Sequence, residues 1–260
     1  MTGPIAHLPA IAGDYFPLQS QAANRLYHIF IRYPESYAAE PDRRWPVVYV
    51  LDGDSLFPLI APTQLFLHYD EGLPEAIVVG IAYGSFDPAV NARGYDFSAP
   101  AADARADQGG APAFLRFLRT ELIPQVESRV RADPARRVLV GQSRSGYFAL
   151  WSAYADPDLF WGRIASNPAV KPGRDLLLSL PAVAPTRGDL GVVLVSGTRD
   201  DSAERREGAR AWGERWEGAA DAPWQANLIE LEGGTHAASL GGAYRAAMLW
   251  LFNRAAAPRP

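Results

Sequence analysis

The chain has no cysteine, which excludes disulfides, a thiolate nucleophile and cysteine-based zinc sites, without fixing a compartment. Only four histidines, His7, His28, His68 and His236, are present to act as a base. No apolar run approaches the roughly 20 residues of a membrane-spanning helix. Internal repeats and low-complexity linkers are also missing. The stretch from Met1 to Gly13 lacks a basic region and prolines break its apolar run, so it does not read as a signal peptide. A cytoplasmic location is therefore expected, with an exported origin left open for a chain whose leader has been removed. A net charge of −4 argues against binding by phosphate neutralisation, so no nucleic-acid or membrane partner is expected. Oligomeric state leaves no trace in the sequence.

What is present suits one large α/β domain spanning residues 1–260, with 48% hydrophobic residues to form its core. Short apolar runs read as strands at Leu26–Tyr33, Pro46–Leu51, Ala76–Ala82, Val138–Val140, Gly191–Ser196 and Asn227–Leu231. Helical segments are expected at Ala111–Val130, opened by Pro112 and kinked or divided by Pro124, at Ser202–Glu217 and at Gly242–Arg254. Continuous apolar strands between helices indicate a mostly parallel sheet covered on both faces. Two excursions, Tyr83–Gln108 and Asn167–Asp189, follow strands at the end where open α/β sheets bind ligands, and are expected to wall a pocket.

The chemistry gathers around Arg137–Tyr154. An apolar run leads into Gly141-Gln142-Ser143-Arg144-Ser145-Gly146 and then into a helix-compatible segment. That is the layout of a nucleophile elbow, where a strained strand-to-helix turn exposes a hydroxyl. Small residues are required two places either side of the nucleophile. Ser143 has Gly141 and Ser145 there, whereas Ser145 would have Ser143 and the oversized Tyr147. Ser143 is the expected nucleophile.

A serine hydroxyl needs an adjacent base. His7, His28 and His68 sit in an irregular terminus, a strand and a helical or loop segment, where histidines commonly pack or face solvent. His236 instead follows a strand through Glu232-Gly233-Gly234-Thr235, a hinge able to return the imidazole over Ser143. The orienting carboxylate is expected just after Gly191–Ser196. Asp200 is favoured, with Asp201 and Glu204 as alternatives and helix capping the other reading of Asp201. The order Ser143, Asp200, His236 is that of α/β hydrolases. Oxyanion donors are expected from the backbone N–H of Arg144 and that of Asp54 or Gly53. Asp52 and Asp54 alone do not make a metal site, so no metal is expected.

With these residues in place, the chain resembles the "Putative esterase" family of α/β hydrolases, which includes esterase D and the enterochelin-esterase-like siderophore esterases. The matching pieces are Val48–Gly53, Arg93–Ser98, Gly110–Pro124, Arg137–Gly146, Phe160–Pro168 and Gly233–His236, within roughly residues 25–255. The resemblance implies an α/β-hydrolase fold and a cofactor-free serine carboxylic-ester hydrolase, with Ser143 as nucleophile and His236 as base. Its substrate would be a small-molecule ester, with siderophore lactones and aromatic acyl esters among the classes the family takes. Some siderophore-esterase relatives work as Ser-His dyads. The sequence departs from the family pattern at Ser145 and at Arg144, whose guanidinium is expected to reach an anionic acyl or iron-chelate substrate, a solvent-facing or salt-bridged arginine being the other reading. Arg93 and Gly53 are placed on the substrate side of the site, a structural ion pair between Arg93 and Asp96 being the competing reading. The rival functions are an acyltransferase using the same serine and a non-catalytic binding protein of the same fold.

Overall fold

The computed structural model describes residues 13–87, 90–170, 173–181 and 183–256. Its framework is one eight-stranded sheet in the order β1-β2-β4-β3-β5-β6-β7-β8. The strands are β1 (Gly13–Ser20), β2 (Arg25–Arg32), β3 (Trp45–Val50), β4 (Ile77–Ala82), β5 (Ala132–Gln142), β6 (Gly162–Ser166), β7 (Gly191–Gly197) and β8 (Gln225–Leu231). β1 and β2 run antiparallel to their neighbours, and all pairs from β4 to β8 are parallel. This is the mostly parallel sheet that the apolar runs imply.

Alternation along the central strands divides the core between the two faces. Val47, Tyr49 and Leu51, with Leu139, Val192 and Leu194, face a layer containing Phe114, Phe148 and Trp212. Val48 and Val50, with Val138, Val140, Val193 and Val195, face Leu56, Ile60, Tyr244 and Met248. The first layer holds helices α2 (Arg93–Asp96), α3 (Ala111–Phe117), α5 (Arg144–Ala155) and α6 (Ala203–Trp216). The second holds α1 (Gly53–Glu71) and α7 (Leu240–Ala256). Trp212 and Trp216, four residues apart on α6, are both buried as their spacing implies.

Three elements lie outside the sequence expectations. α1 contains Pro58 and Pro62, which hide its helical signal. Each interior proline costs about 3 kcal/mol, while burial of Leu56, Ile60 and Leu67 returns roughly 1.5–3 kcal/mol apiece. The two sums are comparable, so packing against β4 and α7, rather than propensity, holds the helix. β6 carries a fully buried Arg163. Its guanidinium donates to the carbonyls of Pro157, Phe160 and Asp156 and to Ser152, and burial pushes its pKa down to about 9. β1 is an edge strand that carries Pro17, a residue tolerated at a sheet edge.

The helical run expected over 111–130 is divided into α3, a π-helical turn at Leu118–Leu122, and α4 (Ile123–Glu127). The wide turn comes just before Pro124, whose ring and missing N–H disrupt regular α-helical bonding. β5 extends well beyond Val138–Val140 and includes Asp133 and Pro134, which obscure its strand character.

Candidate active site

Asp52, Tyr83, Ser143, Asn167, Asp200 and His236 all lie just beyond the C-terminal ends of strands, so the sheet gathers them at one edge. Ser143 occupies the junction of β5 and α5 with φ 58° and ψ −115°, a conformation an L-residue adopts only when its surroundings enforce it. Its N–H donates to the Ser166 carbonyl at 2.9 Å, and its own carbonyl accepts from Ala169 N–H at 2.9 Å. A Cβ on Gly141 would stand 2.2 Å from the Ser145 carbonyl oxygen, so only glycine permits this turn. The expected elbow is present.

Ser145, the departure from the family pattern, is fully buried. Its hydroxyl donates to Asp52 Oδ2 at 2.7 Å and accepts from Gln142 N–H at 2.9 Å. The same Asp52 carboxylate receives both arms of Arg93 at 2.8 Å. Arg93 is therefore in an ion pair, but with Asp52. Asp96 is bound instead by Arg25, Tyr27 and Tyr83. Asp54 accepts the N–H groups of Tyr83 and Gly84, each at 2.8 Å. These bonds occupy both carboxylates considered for a metal. Among the described residues, no group of three potential metal ligands occurs. Gly53 is buried, and a Cβ there would meet the β4 backbone at 2.7 Å. That close approach to the sheet requires glycine at this position. As first residues of α1 and α5, Gly53, Asp54 and Arg144 present N–H groups with no intrahelical acceptor.

His236 Nδ1 lies 2.9 Å from Asp200 Oδ2. Asp201 is exposed and pairs with Arg205, while Glu204 lies in the first turn of α6. Ser202 supplies the cap of that helix, accepting from Arg205 N–H. Burial alone would raise the Asp200 carboxyl. The Arg205 guanidinium, the Ser202 N–H and His236 outweigh it and hold the carboxyl well below the usual carboxylate range. His28 is engaged with Tyr15 and His68 with the Leu73 carbonyl. His7 lies outside the described residues.

Two amides that sequence reasoning missed grip the His236 loop. Gln142 donates through its side chain to the His236 carbonyl. Asn167 donates to the same carbonyl at 3.0 Å and to that of Thr235 at 3.2 Å. The adjacency of Gln142 to Ser143 was visible in the sequence, but nothing there signalled its partner.

A cleft of about 520 Å³ has Phe86, Arg93, Tyr95, Arg105, Asp107 and Arg144 among its walls. Arg105 is paired with Asp107. The Arg144 guanidinium makes no salt bridge among the described residues, but it lies close enough to Asp107 on the same wall to favour that carboxylate. The two excursions meet where Asp103 accepts the Gly173 N–H at 3.1 Å.

The chain matches the family described as "Putative esterase" over residues 20–237. It belongs to that family. A curated member-like relative, the ferri-bacillibactin esterase BesA of Bacillus subtilis, is 31% identical over 174 residues, covering 62% of this chain and 60% of that protein. The chain thus spans less than two thirds of that relative's length. Among solved structures, this esterase-family chain superimposes on a BES protein from Bacillus cereus with a TM-score of 0.78 at 24% identity, covering 92% and 95% of the two chains. The siderophore hydrolase EstB from Aspergillus nidulans gives 0.78 at 20% identity, covering 99% and 100%. These two likenesses establish the α/β-hydrolase type of fold.

Proposed function

We propose that this esterase-family chain is a serine carboxylic-ester hydrolase working through Ser143, His236 and Asp200. One observation carries the reading: the 2.9 Å contact of His236 Nδ1 with Asp200, at the sheet edge where Ser143 occupies its strained turn. With Nδ1–H donated to Asp200, Nε2 is free to accept a proton. His236 takes the Ser143 proton as the oxygen attacks the ester carbonyl, and the Arg144 N–H with an N–H at the start of α1 holds the oxyanion. The C–O bond to the alcohol then breaks, and the leaving oxygen receives the proton from His236. Water hydrolyses the acyl-enzyme by the same steps.

The cleft supports an anionic, aromatic ester as substrate, in keeping with the ferri-siderophore named for the Bacillus subtilis relative. Arg144 brings a guanidinium to the cleft whose walls also hold Phe86 and Tyr95, which are 74% and 43% exposed. A guanidinium gives forked contacts to oxygen anions, and the rings supply stacking surface. Kinetics on matched anionic and neutral aryl esters test both levels. Ser143→Ala and His236→Ala should each remove most of the rate, with the double variant little worse, because such groups act as a unit. Full activity in Ser143→Ala would refute the hydrolase reading. Arg144→Ala should raise KM for anionic esters about tenfold, the scale of a lost charged hydrogen bond. Equal effects on anionic and neutral esters would remove the anion assignment.

A further inference from the structure

Asn167 is 2% exposed and follows β6 with φ 41°, a left-handed conformation that asparagine tolerates better than most residues. Its N–H donates to the Val195 carbonyl at 2.7 Å. Its side-chain oxygen accepts the Gly197 N–H at 2.7 Å, and its amide nitrogen donates to the Thr235 and His236 carbonyls. Those three contacts settle the orientation of the amide, because two carbonyls require the nitrogen and one N–H requires the oxygen. The neighbours of Asn167 hold the other half of the site: Ser166 accepts from Ser143 N–H, and Ala169 donates to the Ser143 carbonyl.

We propose that Asn167, aided by Gln142, is a positioning residue that sets the His236 imidazole against Ser143. Asp200 fixes one ring nitrogen, but its position depends on the loop after β7. The backbone of His236 needs a second reference, and four residues, Ser166–Ala169, supply one shared with Ser143. The inference rests on the serine-hydrolase reading for its catalytic consequence, although the positioning itself does not. A misplacement of about 1 Å costs roughly 100-fold in rate, so this grip matters to turnover beyond its contribution to stability.

Asn167→Asp separates the two effects. It preserves volume and the acceptor for Gly197 N–H, while an oxygen replaces the donor facing the two carbonyls. Three readouts are used: kinetics on p-nitrophenyl acetate, the rate of fluorophosphonate labelling, and the downfield proton resonance of His236 Nδ1–H, assigned by its loss in Asp200→Asn. In folded Asn167→Asp, kcat and labelling rate should fall roughly 10- to 100-fold with KM within about twofold, and the resonance should shift or broaden. Rates within twofold of wild type, with the resonance unmoved, would overturn the proposal. If wild type itself fails to label, the hydrolase reading falls, and the resonance alone decides whether Asn167 positions His236. Should Asn167→Asp not fold, Gln142→Met removes the other donor. A lower kcat at unchanged KM then supports the proposal, and unchanged kcat contradicts it.

Discussion

Replacing Ser145 by alanine probes the buried network beneath the elbow. The Ser145 hydroxyl is inaccessible to water and bonds a carboxylate at 2.7 Å and a backbone N–H at 2.9 Å. Alanine leaves the Gln142 N–H without this partner, at about 1–3 kcal/mol, and removes a hydrogen bond to a charged group worth roughly 1.5–3 kcal/mol. Asp52 keeps both Arg93 contacts, which limits the second loss. A net destabilisation of about 3 kcal/mol follows, or roughly 6–12 °C in Tm for a chain of this size. Ser145→Gly should lose the same bonds plus about 1 kcal/mol of helix propensity. Thermal and urea unfolding of the three proteins would measure the order. A Tm for Ser145→Ala within 1 °C of wild type would refute the argument that this hydroxyl is an integral tie.

Asp200→Asn should lower kcat roughly 10³- to 10⁴-fold by removing the acceptor that selects the His236 tautomer, as in related triads; an activity within tenfold of wild type would favour a Ser-His dyad. Because the Asp200 carboxyl is depressed in the folded chain, its stabilisation is fully present above the unfolded value near pH 4 and is lost as pH falls toward the folded one. The stability gap between wild type and Asp200→Asn should therefore narrow in acid unfolding scans below about pH 4, and a constant gap would contradict that. Gly141→Ala should cost more than about 4 kcal/mol, since its Cβ meets backbone atoms of Ser145 at 2.2 and 2.4 Å; near-native denaturant stability would show that the turn can relax.

The sequence exposes this site where chemistry is tied to local pattern. Gly141 and Ser143 mark the elbow because the turn leaves no room for a Cβ, and Asp200 and His236 follow short apolar strands with small residues beside them. The missed parts depend on distant contacts. Asn167 looks like an ordinary start of a proline-rich loop until β6, β7 and the His236 loop converge on its amide. Ser145 reads only as a small residue beside the nucleophile, because its partner Asp52 lies 93 residues away. Elements of the fold are hidden too: α1 is disguised by two prolines, and β6 by a buried arginine that carbonyls of the turn just before it satisfy.

The central claim is that Ser143 is an activated nucleophile, and fluorophosphonate labelling followed by peptide mass spectrometry tests it most directly. The account predicts one adduct per chain on Ser143, abolished in His236→Ala. An adduct on Ser145, or none on the folded wild-type protein, would contradict it.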